Sequence, residues 1–189
     1  IHHIAIDGFG YSLLARRVAH IYTALVHGRP YDEAAFGSVH SILEEEAAYR
    51  SSEQIKRDRQ FWLSRFADEP EVVSLGDRAA RTSRGFLRQS AQLPPTSMTA
   101  LKGLASQTGT TWSDVVIAAA AAYVQRLTGA NDVILGLPMM CRLGSASLRV
   151  PGMVMNVLPL RLTVRPDMSL AALLQQVSQE IREIRRHQD

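Results

Sequence analysis

The stretch from Thr111 to Leu127 constrains the fold more than any other. Trp112 to Leu127 reads as a helix, and Asp114 stands three residues after Thr111, close to a capping box with Asp in place of Glu. Ala118 to Ala122 follow in a row, and the helix has almost no polar face. A helix this apolar is expected to be central, covered by other elements. Its longest apolar run, Val115 to Val124, is far short of the roughly 20 residues that cross a bilayer. It is therefore expected in a protein core, not a membrane.

Other elements lie on both sides of it in sequence. Leu170, Leu173, Leu174, Val177, Ile181 and Ile184 share one face of a helix over Ser169 to Arg186. Met98, Leu101 and Leu104 anchor another over Pro95 to Gln107. Val133 to Leu137 reads as a buried strand, and Met153 to Val164 as one or two more. Pro138 to Pro151 is an irregular, glycine-containing loop.

Toward the start of the chain, Ile1 to Ile6 reads as a buried strand, broken by Asp7-Gly8-Phe9-Gly10. A helix over Tyr11 to Val26 follows, with Leu14, Val18, Ile21 and Leu25 on one face, ended by Gly28 and Pro30. Ser38 to Arg50 and Ser52 to Ala67 read as two more helices, the second burying Ile55, Phe61, Trp62 and Phe66. Asp68 to Thr82 is charged and rich in breakers, so it reads as a linker, and Gly85 to Leu93 is a strand candidate. Helices interleave with strands, which gives an α/β (α+β) class. The linker divides the chain into residues 1–75 and 76–189. Both ends break off inside a structural pattern, as in a piece of a longer protein.

Composition removes several function classes. Of 189 residues, 46% are hydrophobic and 21% charged, which excludes disorder as a whole-chain description. The single Cys141 excludes a disulfide framework and a multi-cysteine zinc site. The net charge is +3, scattered and without an aromatic-basic platform, so nucleic acid is not expected as a partner. No secretory signal or membrane span is read, and the expected compartment is cytoplasmic.

His2-His3-x-x-x-Asp7-Gly8 is the densest set of reactive side chains. Neighbours on a strand point to opposite faces, which argues against a two-histidine metal site. One histidine should face a cleft and the other pack inside. An imidazole titrates near pH 6.5 and suits general-base work, so the histidine facing the cleft is the catalytic candidate. Taken without further pattern, two structural histidines and a turn Asp explain the same residues.

The wider pattern favours chemistry. His2 to Gly8 resembles the HHxxxDG motif of nonribosomal peptide synthetase condensation domains. Gly136-Leu137-Pro138-Met139-Met140-Cys141-Arg142 resembles that family's Gly-x-Pro-x-x-x-Arg segment. Gly152 to Arg161 resembles its Gly-x-x-x-Asn-x-x-Pro-x-Arg segment, and His187-Gln188-Asp189 the start of a later motif. Residues 142–148 and 154–160 look most like the condensation domains of catecholate siderophore synthetases, the enterobactin and bacillibactin type.

The resemblance implies a two-lobe fold like chloramphenicol acetyltransferase, present as a fragment that is inactive alone. It implies amide formation between a carrier-bound acyl or aryl thioester and a carrier-bound aminoacyl group. Phosphopantetheine arms of donor and acceptor carrier domains would bring the substrates, beside an adenylation domain, with no cofactor bound directly and no metal. His3 would take a proton from the attacking amine or hold that amine. Asp7 would be structural, paired with Arg142 from the second lobe, and exchanging the two charges should restore part of what each single change removes. Gly8 would offer its N–H near substrate or serve as a turn glycine. His2 would be interior, and Asn156 would fix the loop forming the floor of the substrate passage. Cyclising relatives carry acids at the two histidines, which excludes that variant.

Other residues read as ordinary structure. Cys141 reads as loop packing, and His20, His27 and His40 as surface. Ser145 and Ser147 lack a nucleophile-elbow setting. Arg78, Arg81, Arg84 and Arg88 form a solvated patch or meet an acidic carrier domain. An acyl-CoA-dependent acyltransferase, a non-catalytic relative of the fold and a metal hydrolase using His2, His3 and Asp7 are the competing functions.

Overall fold

The computed structural model describes residues 2–32, 36–71, 73–76, 85 and 87–188. The elements run α1 (Gly8–Val26), α2 (Val39–Arg50), α3 (Glu53–Arg65), α4 (Pro95–Thr108), α5 (Trp112–Thr128), β1 (Asp132–Met139), a 3-10 turn (Ala146–Arg149), β2 (Asn156–Thr163), α6 (Leu170–Ile184) and a final 3-10 turn (Arg185–His187). The two strands pair in a two-stranded sheet. Helices and sheet occur together, as the sequence indicates.

The helix starts follow from local chemistry. Asp7, Ser38, Ser52, Thr111 and Ser169 each accept a hydrogen bond from a backbone N–H in the following turn. At α5 the box is complete: Thr111 Oγ1 accepts from the Asp114 N–H, and the Asp114 carboxylate from the Thr111 N–H. Gly109 and Gly129 close α4 and α5 in left-handed geometry.

The chain divides into two compact units that alternate in sequence: 1–67, 137–158 and 187–189 in one, 68–136 and 159–186 in the other. In the second unit, α5 contributes the fully buried Ala118 and Ala121, β2 contributes Leu160 and Leu162, and α6 contributes Leu174, Val177 and Ile184. Val116, Tyr123 and Leu127 of α5 are exposed, so only one face of that helix is central. Arg161 ties β2 to the start of β1 and to the linker, donating to Asp132 Oδ2 at 2.6 Å and Asp68 Oδ1 at 2.7 Å.

In the first unit, α3 buries Asp58. Its carboxylate accepts from Tyr49 Oη at 2.9 Å and Gln54 Nε2 at 2.6 Å, and lies 2.6 Å from His187 Nδ1. Phe61 stacks on the His187 ring, and Trp62 Nε1 donates to the His187 carbonyl.

Other expectations also differ from the structure. The strand over 1–6 is absent among its described residues: residues 3–5 form a turn closed by Ala5 N–H to the His2 carbonyl at 3.0 Å. A strand exists only through pairing, and between His2 and Asp7 the bond from Asp7 N–H to Gly152 O is the link to another segment's backbone. Gly85 and residues 87–93 likewise take no strand; residue 86 lies outside the described residues. The predicted apolar face of α1 is only partly covered among the described residues: Leu14 and Ile21 are half-buried, while Val18 is 67% and Leu25 63% exposed.

Candidate active site

Asp7 is where the site is built. As N-cap of α1 it takes the Gly10 N–H on Oδ1 at 2.7 Å. Oδ2 accepts from Arg142 Nη2 at 2.9 Å, Val154 N–H at 3.0 Å and Met155 N–H at 3.1 Å. Burial pushes its pKa up, but the Gly10 and Val154 N–H groups, the Arg142 guanidinium and the Met155 N–H outweigh that and hold it at about 2. Asp7 is thus a permanent carboxylate serving as a joint between α1 and the 152–155 segment.

Arg142 is equally enclosed. Nη1 donates to the Ser147 and Val150 carbonyls, and Nη2 also to the Gly152 carbonyl at 2.8 Å. The guanidinium carbon lies 5.0 Å from the Phe9 ring centroid, within cation–π reach. Its Nε has no hydrogen-bond partner among the described residues. Asp7 and Arg142 fall in the same compact unit.

Close backbone approach locks this joint. A Cβ on Gly10 would stand 2.9 Å from both N and O of Gly152 and 2.8 Å from Ile6 Cγ1. Only glycine fits there. Nothing local in the sequence distinguishes Gly10 from a breaker glycine, because the segment it presses against lies 142 positions away.

The other expected residues distribute as follows. His2 and His3 are both exposed in the turn before Asp7. The expectation that one packs inside is not met, since a turn, unlike a strand, does not divide its side chains between a wet and a dry face. His2 Nδ1 accepts the Ile4 N–H at 3.1 Å and so closes this turn. Gly8 is exposed, begins α1 and has nothing within 4 Å of a would-be Cβ. Asn156 is exposed at the start of β2, its Oδ1 accepting the Val157 N–H at 2.9 Å. It lines a cleft of about 500 Å³ together with Glu45, Cys141, Ser145, Met155 and Gln188.

Cys141 takes a positive φ of 50°, with Sγ 3.6 Å from the Gln188 carbonyl. His20, His27 and His40 are exposed. Arg78, Arg81 and Arg84 lie outside the described residues, and Arg88 is exposed. No group of three or more His, Cys, Asp or Glu side chains is placed to hold a metal among the described residues, and none of their helices is long and apolar enough to cross a membrane.

Comparison with known proteins gives the family and the fold. A family model described as "Condensation domain" matches residues 1–189. The dimodular nonribosomal peptide synthase of Bacillus subtilis (strain 168) is 62% identical over 187 residues, 99% of this chain and 8% of that protein. The first condensation domain of the calcium-dependent antibiotic synthetase, solved with a substrate analogue, superimposes with a TM-score of 0.92 at 42% identity, over 99% of this chain and 42% of that one. A variant of the starter condensation domain of rhizomide synthetase, solved with C8-CoA, gives 0.88 at 42% identity, again over 99% and 42%. The chain thus spans less than half of these solved relatives.

Proposed function

The chain belongs to the condensation-domain family of nonribosomal peptide synthetases, with its chloramphenicol-acetyltransferase-like fold, and we propose that it supplies the HHxxxDG part of a domain that makes an amide from an acyl thioester and an amine. The amine nitrogen attacks the thioester carbonyl, a C–N bond forms, the C–S bond breaks, and the thiol leaves with a proton. His3 receives the amine proton or holds the amine by a hydrogen bond. Proton transfer of this kind contributes about 10²–10⁴-fold, while orienting the two reactants contributes up to roughly 7–11 kcal/mol.

The observation that carries this reading is the buried Asp7–Arg142 pair. It anchors the start of α1 immediately after the turn that holds His3. A carboxylate saturated by four donors is no general base, which leaves the exposed imidazoles; His2 spends Nδ1 on the Ile4 N–H, and His3 is the one assigned to meet substrate. Gly8, exposed and with nothing within 4 Å of a would-be Cβ, offers the close approach a substrate backbone needs, and Asn156 shapes the cleft wall.

The donor and acceptor are substrates carried on phosphopantetheine by carrier domains, with an adenylation domain in the same synthetase. Sequence similarity over 142–148 and 154–160 favours a siderophore pathway with an aryl donor. A second reading, an acyl-CoA donor, is favoured by the rhizomide relative solved with C8-CoA. The intact parent synthetase, given matched carrier-loaded and CoA thioesters in turn, tests both. Amide from the carrier-loaded donor alone supports the first, amide from the CoA thioester supports the second, and no amide from either contradicts both.

A further inference from the structure

Arg142 is held by carbonyls that belong to one short turn, so whatever fixes that turn bears on Asp7. The 3-10 turn Ala146–Arg149 presents the Ser147 carbonyl, and Val150 directly follows it. The start of the turn is gripped by α2, one hundred positions earlier. Glu45 Oε2 accepts the Ser145 hydroxyl proton at 2.5 Å, and Oε1 accepts the Ala146 N–H at 2.8 Å. Those two donors also hold the Glu45 pKa below its usual value, the Ala146 N–H most strongly.

The proton count gives the network a direction. A serine hydroxyl has one proton, and Ser145 gives it to Glu45. Ser145 Oγ then accepts the Ser147 N–H at 2.9 Å and lies 2.8 Å from Ser147 Oγ, whose proton it also accepts. Ser147 is fully buried, and its carbonyl receives Arg142 Nη1. An unbroken set of contacts runs from Glu45 through Ser145 and Ser147 to Arg142, and from there to Asp7.

We propose that Glu45 is a positioning residue for the amide-forming reaction, setting through Ser145 and the 146–149 turn the placement of Arg142 and hence of the Asp7 joint. This inference rests on the function proposed above. Glu45 itself is exposed, so water replaces its lost bonds in a variant and folding changes little. Turnover suffers because the start of the turn loses its tie to α2.

The test is a steady-state amide assay on the intact synthetase with E45A, E45Q and S145A, alongside thermal melting. A charge-assisted hydrogen bond of this kind sets the scale. E45A is expected to lower kcat about tenfold, with KM for the donor changed less than about twofold. E45Q, whose amide oxygen still accepts a proton from the turn, is expected within about threefold of wild type. E45A/S145A is expected to be no slower than the slower single variant, because both act on one link. E45A at wild-type kcat, E45Q as slow as E45A, or multiplying effects in the double variant would overturn the proposal. Should S145A fail to fold, the E45A and E45Q comparison decides alone. Wild-type synthetase that forms no amide would instead contradict the proposed function, so the two failures are distinguishable.

Discussion

Arg142 Nη2 and Asp7 Oδ2 meet at 2.9 Å across 135 positions of sequence, with side chains 0% and 3% exposed. The pair is not symmetrical. Asp7 is surrounded by N–H donors, from Gly10, Val154 and Met155, whereas Arg142 is surrounded by carbonyls, from Ser147, Val150 and Gly152.

This asymmetry reverses the sequence-based expectation for a charge exchange. D7R/R142D places a guanidinium among three N–H groups and a carboxylate among three carbonyls. Either single loss, D7A or R142A, is expected to cost about 3–5 kcal/mol of stability. The exchange is expected to be no better than either, measured by chemical denaturation. Stability recovered above both single variants would show that the backbone groups do not define the site.

Acid sensitivity follows from the same carboxylate. Its pKa is about 2 in the folded chain, against 3.8 for an unperturbed Asp. A lowered folded pKa gives stability that is present above the unfolded value and is lost as pH falls through the folded one. Wild type is therefore expected to lose this contribution between about pH 4 and pH 2, and D7N to lack that part of the slope. Parallel stability curves for the two proteins over that range would contradict the assignment.

Gly8, which ends the motif, and Gly10, two residues beyond it, should behave oppositely. G10A drives a Cβ into Gly152 backbone and is expected to destabilise by about 1–3 kcal/mol. G8A meets nothing and is expected within about 0.5 kcal/mol of wild type. A fall in turnover for G8A at unchanged melting temperature places substrate against Gly8; unchanged turnover leaves it a helix-start glycine.

How much the sequence revealed depended on the range of the physics. Helix starts at Ser38, Ser52, Thr111 and Ser169 were legible because capping is decided within four residues. The α6 face was legible because its period is local. That residues 2–6 form no strand was not legible, since β-branched residues show a preference for pairing but not whether a partner exists. Arg142 as the mate of Asp7 came from motif resemblance; spacing alone carries no signal over 135 positions. The grip of Glu45 on the 145–146 turn and the Asp58–His187 contact were missed for the same reason. Within Glu44-Glu45-Glu46, nothing distinguishes the carboxylate that reaches across the fold from its solvated neighbours.

The central claim is that the exposed imidazole before the Asp7 joint promotes amide formation. Single-turnover amide formation by the intact synthetase, comparing wild type with H3A, tests it most directly. The side chain is solvent-facing, so melting temperature is expected to stay unchanged while the rate falls about 10²–10⁴-fold. An H3A synthetase that forms product at the wild-type rate would contradict the account.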